Sequence, residues 1–135
     1  MRFAISYVST AISDLNQDEV AELLEQTEIR NNNEGVNGLL IYSDGNFFEV
    51  IEGEETKIKN LFKNIKEDPR HRNIMIVFEK EIDQPLFDDK KANFISNNTK
   101  HRQMKVKNFL YYIKDLDEST QKAVKNILSA MGENS

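Results

Sequence analysis

The chain has 135 residues, the size of one domain with a hydrophobic core of its own. It contains no cysteine, which excludes disulfides, thiolate metal sites and a cysteine nucleophile. The formal net charge of −5 argues against nonspecific nucleic-acid binding, and no apolar run approaches the roughly 20 residues of a membrane span.

The first part of the chain contains a strand pattern followed by a helix pattern. Residues Arg2 to Val8 alternate large with small side chains, as a strand does. Asn16 with Glu19 three residues later resembles a capping box, and the apolar stripe that follows predicts a helix from about Gln17 to Ile29. The asparagine-rich run up to Gly35 is expected to end that helix.

The stretch from Gly35 to Gly53 indicates two strands joined at Asp44-Gly45. Asp-Gly between two apolar runs is a strong signal for a tight hairpin turn. Alternation divides the second strand into two faces: Phe47, Glu49 and Ile51 on one, Phe48 and Val50 on the other. Glu49 is therefore an acid in the middle of a strand that is apolar on both faces. Alternation alone does not fix which face meets the helices.

The second part of the chain repeats the strand and helix patterns. A helix is predicted over Glu54 to Lys66, before Asp68-Pro69. Asn73 to Lys80 is almost continuously apolar, which favours a central strand with both faces buried. Phe87, then Ala92 to Ile95, give a weaker indication of a fifth strand at an edge. Two apolar stripes predict two final helices: Val106, Phe109, Leu110 and Ile113, then Val124, Ile127, Leu128 and Met131.

The order of these elements predicts an α+β fold. A β-α-β-β-α-β order with an extra edge strand is typical of the ferredoxin-like, split βαβ sheet. Right-handed crossovers place the two early helices on one face, and the two C-terminal helices are expected to cover the other. We expect a ferredoxin-fold core over residues 1–98 and a C-terminal helical cap over residues 99–135.

Few residues form a recognisable reactive pattern. His71 and His101 lie far apart without ligand-like neighbours, which favours a surface role for both and predicts no metal site. Acylphosphatases use the ferredoxin-like scaffold, but the loop Ser9 to Asp14 lacks their glycine and arginine and holds an acid. An enzyme is therefore not expected. The remaining polar candidates are Tyr7, Asn31, Asn32 and Glu49, and an ordinary structural explanation is weakest for Glu49, which has large apolar neighbours.

An ordered set of motifs resembles the BLUF domains, which sense blue light using flavin. The similarity covers roughly residues 1–95, and the two C-terminal helices are also in the style of that family. The matching motifs are Tyr7-Val8-Ser9, Asn31-Asn32, Gly35-Val36-Asn37-Gly38-Leu39-Leu40, Asp44-Gly45-Asn46-Phe47-Phe48-Glu49-Val50-Ile51-Glu52-Gly53 and Asp68-Pro69-Arg70-His71.

The resemblance implies a flavin, either FAD or else FMN or riboflavin, held between the two early helices. Leu23 and Ile65 would sandwich its ring. Tyr7 would be the light-active tyrosine and Asn31 the flavin-binding asparagine. Glu49 would occupy the position of the switching glutamine and would face the helix layer. The cofactor-binding residues implied in this way are Tyr7, Leu23, Asn31, Asn32, Glu49, Ile65, Arg70 and His71.

The sequence also departs from the family, and we expect the changes to cluster on the chromophore side. Glu49 replaces glutamine, whose amide donates and accepts hydrogen bonds, whereas an ionised carboxylate only accepts. Burial would raise the pKa of Glu49 toward the neutral form, which can donate. Asn37 replaces the usual threonine, Asn64 replaces a residue that is often basic or imidazole, and the region Phe87 to Phe94 lacks the family's tryptophan and methionine.

Two hypotheses follow from the resemblance and its departures. The first is a BLUF-type photoreceptor that signals through rearranged hydrogen bonds around its flavin, with photochemistry altered by Glu49. The alternative is a degenerate BLUF-like protein-interaction module without flavin or without photoactivity. The sequence shows no effector domain or signal peptide, so we expect a cytoplasmic homo-oligomer that signals through a separate effector protein or self-association. Neither nucleic acid nor membrane is expected as a partner.

Overall fold

A computed structural model describes residues 1–83, 94–98 and 117–131. Three predictions from the sequence lie outside these ranges: the contributions of Phe87 and Ala92 to the fifth strand, the surface role of His101, and the helix of residues 106–113. The described elements are β1 (Arg2–Ala11), α1 (Gln17–Asn33), β2 (Asn37–Ser43), β3 (Asn46–Glu54), α2 (Glu55–Lys66), β4 (His71–Ile82), β5 (Phe94–Asn98) and α3 (Glu118–Ala130).

The five strands form one sheet in the order β4-β1-β3-β2-β5. The neighbours β4-β1, β1-β3 and β3-β2 are antiparallel, while β5 runs parallel to β2. This order confirms the predicted α+β, ferredoxin-like fold, and it confirms a fifth strand at an edge.

The prediction of a central position for β4 is wrong. β4 lies at the opposite edge of the sheet from β5, and Met75 and Ile76 are 66% and 49% exposed. Of the β4 residues, Phe78 is the one that is buried. An apolar run indicates that a strand can be buried on both faces. In the sheet, however, β4 is an edge strand with β1 as its one neighbouring strand, so less of its surface is covered.

Helix α1 begins where predicted and ends later. Asn16 and Glu19 form the predicted capping box, with Oδ1 of Asn16 accepting from the Glu19 amide at 2.9 Å. The helix continues through Asn33 before Gly35 takes a φ of +74°. The asparagines therefore lie in the last turn of the helix. Asn31 is buried there, and Asn32 bonds to β5.

The hairpin turn at Asp44-Gly45 is confirmed. Asp44 and Gly45 have φ of +46° and +83°, which is the left-handed pair required by a two-residue turn of type I′. The turn fixes the register of β3 against β2 and β1, so that Glu49 lies between Tyr7 of β1 and Leu40 of β2.

The sheet has a different cover on each face. Helices α1 and α2 pack on the face of Phe47 and Ile51. Helix α3 packs on the face of Phe48 and Val50 with Val124, Leu128 and Met131, which confirms the prediction for the last helix. The Asp117 cap of α3 pairs with Lys80 of β4, and Ser43 of β2 donates to the Met131 carbonyl at 2.7 Å. These contacts hold α3 across the sheet from β4 to β2.

Candidate functional site

A cleft lies between α1 and α2, with the middle of the sheet as its floor. Its empty space is about 420 Å³ when the open mouth is included, of which about 50 Å³ is enclosed enough to compare with ligand cavities. Helix α1 and helix α2 each contribute an apolar residue to the walls. The lining residues are Tyr7, Leu23, Thr27, Arg30, Leu40, Phe47, Glu49, Ile65, Asp68, Arg70 and His71.

Tyr7 and Glu49 are hydrogen-bonded in the floor of the cleft. Strand pairing puts them directly opposite each other on β1 and β3, and the Tyr7 hydroxyl donates to Oε1 of Glu49 at 2.5 Å. Glu49 is only 2% exposed, and Tyr7 is buried beside the rings of Phe62 and His71. Glu49 therefore faces the helix layer, as the sequence resemblance implied.

Burial shifts both groups toward their neutral forms. Loss of water raises the pKa of Glu49 from 4.5 to about 7, although the Tyr7 hydrogen bond and the charge of Arg30 act in the opposite direction. Burial, followed by the nearby Glu49 charge, also holds the pKa of Tyr7 well above its usual value. Glu49 is thus an acid that changes charge near neutral pH next to a tyrosine that does not.

The two asparagines at the end of α1 differ in their contacts. Asn31 is fully buried, and neither atom of its amide has a hydrogen-bond partner within the described ranges. Asn32 forms two bonds with β5, since its Nδ2 donates to the Phe94 carbonyl at 3.0 Å and its Oδ1 accepts from the Phe94 amide at 2.6 Å. Asn32 therefore holds the edge strand, while the amide of Asn31 is unpaired among the described residues but is not part of the cleft lining.

His71 and Arg70 lie at the mouth of the cleft. The surface role favoured for His71 is wrong, because its Nδ1 lies 2.7 Å from Ser9 Oγ and its Nε2 lies 2.7 Å from the Ile65 carbonyl. Arg70 binds the Asp68 carboxylate through both Nε and Nη2. These contacts fix the segment that joins α2 to β4 against the end of the cleft.

Five lining residues were not identified from the sequence: Thr27, Arg30, Leu40, Phe47 and Asp68. Helical spacing of four from Leu23 could have indicated Thr27, and cross-strand pairing with Glu49 could have indicated Leu40. Nothing in the local sequence signals Arg30, because its place at the mouth depends on how far α1 continues.

A wider groove continues from the cleft between the end of α1 and the outer side of α2. It shares Arg30, Ile65 and Asp68 with the cleft and holds Asn64. Asn37 lies on the opposite face of the sheet, where its Nδ2 donates to Oε1 of Glu52 at 3.3 Å. The expectation that the departures cluster on the chromophore side therefore fails for Asn37. The departure over Phe87 to Phe94 lies almost wholly outside the described residues.

Comparison with known proteins decides the family. The family model for BLUF, described as sensors of blue light using FAD, matches residues 3–93. The chain belongs to the BLUF family. Two relatives are subunits of photoactivated adenylate cyclases: the alpha subunit of Euglena gracilis is 32% identical over 99 residues, 72% of this chain, and the beta subunit of Euglena longa is 34% identical over 107 residues, 78% of this chain.

The chain spans 10% and 12% of the length of those two BLUF relatives. A third similarity is to a solved structure, the dark state of the BLUF protein BlrB. Its TM-score is 0.69 at 22% identity, with 96% of each chain covered, which supports the BLUF fold. Within the described ranges there is no cluster of three or more metal-binding side chains, and no helix has the length and apolar character to cross a membrane.

Proposed function

We propose that this BLUF protein is a flavin-binding blue-light photoreceptor whose photochemistry is altered by Glu49. The observation that carries the proposal is the Tyr7–Glu49 hydrogen bond in the floor of the cleft between the two helices. It joins the position of the light-active tyrosine to the position of the switching glutamine.

The residues of the cleft fit a flavin. Leu23 from α1 and Ile65 from α2 offer apolar surface to the two faces of a flat ring. Asn31 is not among the residues that line the cleft, but its amide is buried without a partner among the described residues, and its NH₂ and oxygen are proposed to bind a polar ring edge. A bound flavin would supply absorption of blue light and a ring able to accept an electron and a proton.

The chain's own residues would control the proton at the Tyr7 oxygen. Burial keeps the tyrosine neutral, and Oε1 of Glu49 accepts its hydrogen bond at 2.5 Å. A neutral Glu49 both donates and accepts, as glutamine does, whereas an ionised Glu49 only accepts. Switching by rearranged hydrogen bonds would therefore require the neutral acid.

The groove beyond the cleft would receive the chain attached to the flavin ring. It is lined by the amides of Asn60 and Asn64 and by charged side chains of both signs, including Lys57 and Glu67. This mixed lining does not select between FAD, FMN and riboflavin. Chromatography of the flavin released from purified protein identifies which form is bound.

Absorption spectroscopy tests the proposal. Purified protein should show a flavin spectrum that shifts reversibly to longer wavelength under blue light. Tyr7→Phe should retain the flavin and lose the shift, because the hydroxyl that donates to Glu49 is gone. A colourless protein that cannot be reconstituted with FAD contradicts the proposal.

Glu49→Gln tests the role of the acid. The amide restores a group that donates and accepts at every pH, so the reversible red shift should appear or strengthen. A flavin-loaded Glu49→Gln protein with the same light response as the parent would show that Glu49 does not alter the photochemistry.

A second candidate function is a BLUF-like interaction module that has lost the light switch. The observation that favours it is Glu49 itself, because above about pH 7 the ionised acid cannot donate. A reversible light-induced spectral shift would exclude this candidate.

We propose that the output is non-enzymatic and runs through a separate effector protein or through self-association in the cytoplasm. Residues 1–98 would form the sensory core and residues 99–135 the helical cap, of which α3 is part. The exposed apolar side chains of Met75 and Ile76 on edge strand β4 are compatible with a homo-oligomer. Light scattering on dark and illuminated protein measures whether the oligomeric state changes.

A further inference from the structure

The two acids of the cleft differ in how their charge is balanced. Asp68 has a cation in contact, since Arg70 binds it with Nε at 3.0 Å from Oδ1 and Nη2 at 2.7 Å from Oδ2. Glu49 is bonded to the neutral hydroxyl of Tyr7, and no cation pairs with it within the described ranges. An ionised Glu49 would be a buried charge without an ion-pair partner.

The titratable and charged groups around Glu49 come from several elements. Strand β1 contributes Tyr7, α1 contributes Arg30, and the segment after α2 contributes the Asp68–Arg70 pair. Strand β4 contributes His71. The neighbours from β2 and α2, Leu40 and Ile65, are apolar. Arg30 is exposed and favours the ionised form of Glu49 only through its positive charge. Solvent and salt screen part of this electrostatic interaction.

We infer that the cleft takes up its flavin together with one proton, which Glu49 holds as the neutral acid. The inference rests on the proposed function, because it concerns the same cleft and ligand. A flat neutral ring that fills the cleft covers the 2% of Glu49 that is still exposed and removes solvent from the cleft beside it. An ionised carboxyl without a paired cation is then costly. The neutral acid also has a proton to donate to an acceptor on the ring, such as a carbonyl oxygen or a ring nitrogen.

Flavin affinity should then depend on pH. In the free protein the pKa of Glu49 is raised to about 7, so below that pH the acid is already neutral and the affinity is constant. Above it, binding must add a proton to an ionised carboxyl. The dissociation constant should then rise about tenfold for each pH unit.

Riboflavin is the probe for the test because it lacks a phosphate, which would titrate in the same range. Its dissociation constant is measured by fluorescence on the whole chain between about pH 5.5 and pH 8.5. At about pH 8, calorimetry in two buffers with different ionisation enthalpies should show uptake of about one proton per riboflavin.

Three variants assign the proton. In Glu49→Gln the dissociation constant should not change with pH. In Tyr7→Phe the loss of affinity should begin at a higher pH, because the tyrosine hydrogen bond lowers the pKa of Glu49. In the matched control His71→Gln, which removes the imidazole at the mouth of the cleft, the pH at which affinity begins to fall should stay near that of the parent, whatever the absolute affinity.

The outcomes separate this inference from the proposed function. Riboflavin that binds with a pH-independent dissociation constant overturns proton uptake and leaves the proposed function standing. A pH dependence that persists in Glu49→Gln and disappears in His71→Gln also overturns it. Failure to bind riboflavin, FMN or FAD at any pH overturns the proposed function and this inference together.

Discussion

Strand β3 carries two buried glutamates on opposite faces of the sheet, and they have opposite surroundings. Glu52 lies on the α3 face, fully buried, where it forms an ion pair with Arg2 and accepts from Asn37 at 3.3 Å. Glu49 lies on the helix-layer face, where its described partner is the Tyr7 hydroxyl and it borders the cleft. The same residue type, on one strand and at similar burial, thus serves the fold at Glu52 and remains titratable near neutral pH at Glu49.

The difference extends to the packing around each acid. The α3 face is filled by apolar side chains from β3 and α3, including Phe48 and Leu128, both of which are fully buried. The helix-layer face leaves a cleft beside Phe47. A mutation on the filled face should reduce stability, whereas one on the cleft face should change ligand binding and pH response.

The largest expected effect comes from Phe48→Ala. Removing a fully buried ring under α3 should reduce the free energy of unfolding by about 3–5 kcal/mol, because the closed packing leaves a cavity. The matched control is Phe47→Ala, one residue earlier on the other face, which should cost clearly less because its cavity joins the existing cleft. Urea unfolding measures both. Equal losses would show that the two faces are equally closed.

The second effect is the pH dependence of stability in the flavin-free protein. The pKa of Glu49 is raised from 4.5 to about 7 on folding, so the folded state binds more protons than the unfolded state between these values. The stabilising effect of the neutral acid is complete below 4.5 and is lost as the pH rises through 7, with a total of about 3 kcal/mol.

Urea unfolding of the parent and Glu49→Gln, at about pH 4.5 and about pH 8, isolates this effect. The parent should lose about 3 kcal/mol more than the variant over that range, because glutamine does not ionise and the other titrating groups are common to both. A constant difference between the two proteins would mean that Glu49 has the same pKa in the folded and unfolded states.

The third effect concerns the acid on the other face. Glu52→Ala removes the partner of a buried ion pair, and we expect a loss of about 2 kcal/mol. The loss stays below that of a fully buried pair because the Arg2 side chain is 35% exposed and can reach water. Glu52→Gln should cost less, since its one amide oxygen still accepts from either Arg2 or Asn37, which bond different oxygens of Glu52. Flavin affinity should be unchanged in both variants, and a fall in that affinity would argue against separate roles for the faces.

Local patterns in the sequence predicted parts of the fold: the start of α1 at Asn16, the hairpin turn at Asp44-Gly45, and the two faces of the strand around Glu49. Each of these signals acts over a few residues, and the structure confirms each of them. The edge position of β4 was not predicted, because an apolar run does not state how many neighbours a strand has. The place of Arg30 was also missed, since it depends on how far α1 continues and on where that end of the helix packs.

The pairing of Tyr7 with Glu49 shows the limit of the sequence more clearly. The resemblance placed both residues in one site, but the direct hydrogen bond depends on the register of β1 against β3. The state of the acid depends on burial, on the hydroxyl and on Arg30 together. None of these three influences is local in the sequence. The sequence therefore identified Glu49 and predicted that its pKa is raised, but not by how much.

The smallest effect on stability is expected at Asn31, and it sharpens the contrast between fold and function. The amide of Asn31 makes no hydrogen bond within the described ranges, so Asn31→Ala loses packing but also removes two buried unsatisfied groups. The free energy of unfolding of the flavin-free protein should change by less than about 1 kcal/mol. Riboflavin affinity should fall, because the amide is proposed to bind the ring.

The neighbouring Asn32 supplies the control. Asn32→Ala leaves the Phe94 amide and carbonyl without their partner, which should cost about 1–2 kcal/mol of unfolding free energy. The resemblance also placed Asn32 at the flavin, but its amide is already bonded to β5. We therefore expect a smaller loss of riboflavin affinity than in Asn31→Ala. A larger loss of riboflavin affinity in Asn32→Ala than in Asn31→Ala would instead assign the flavin contact to Asn32.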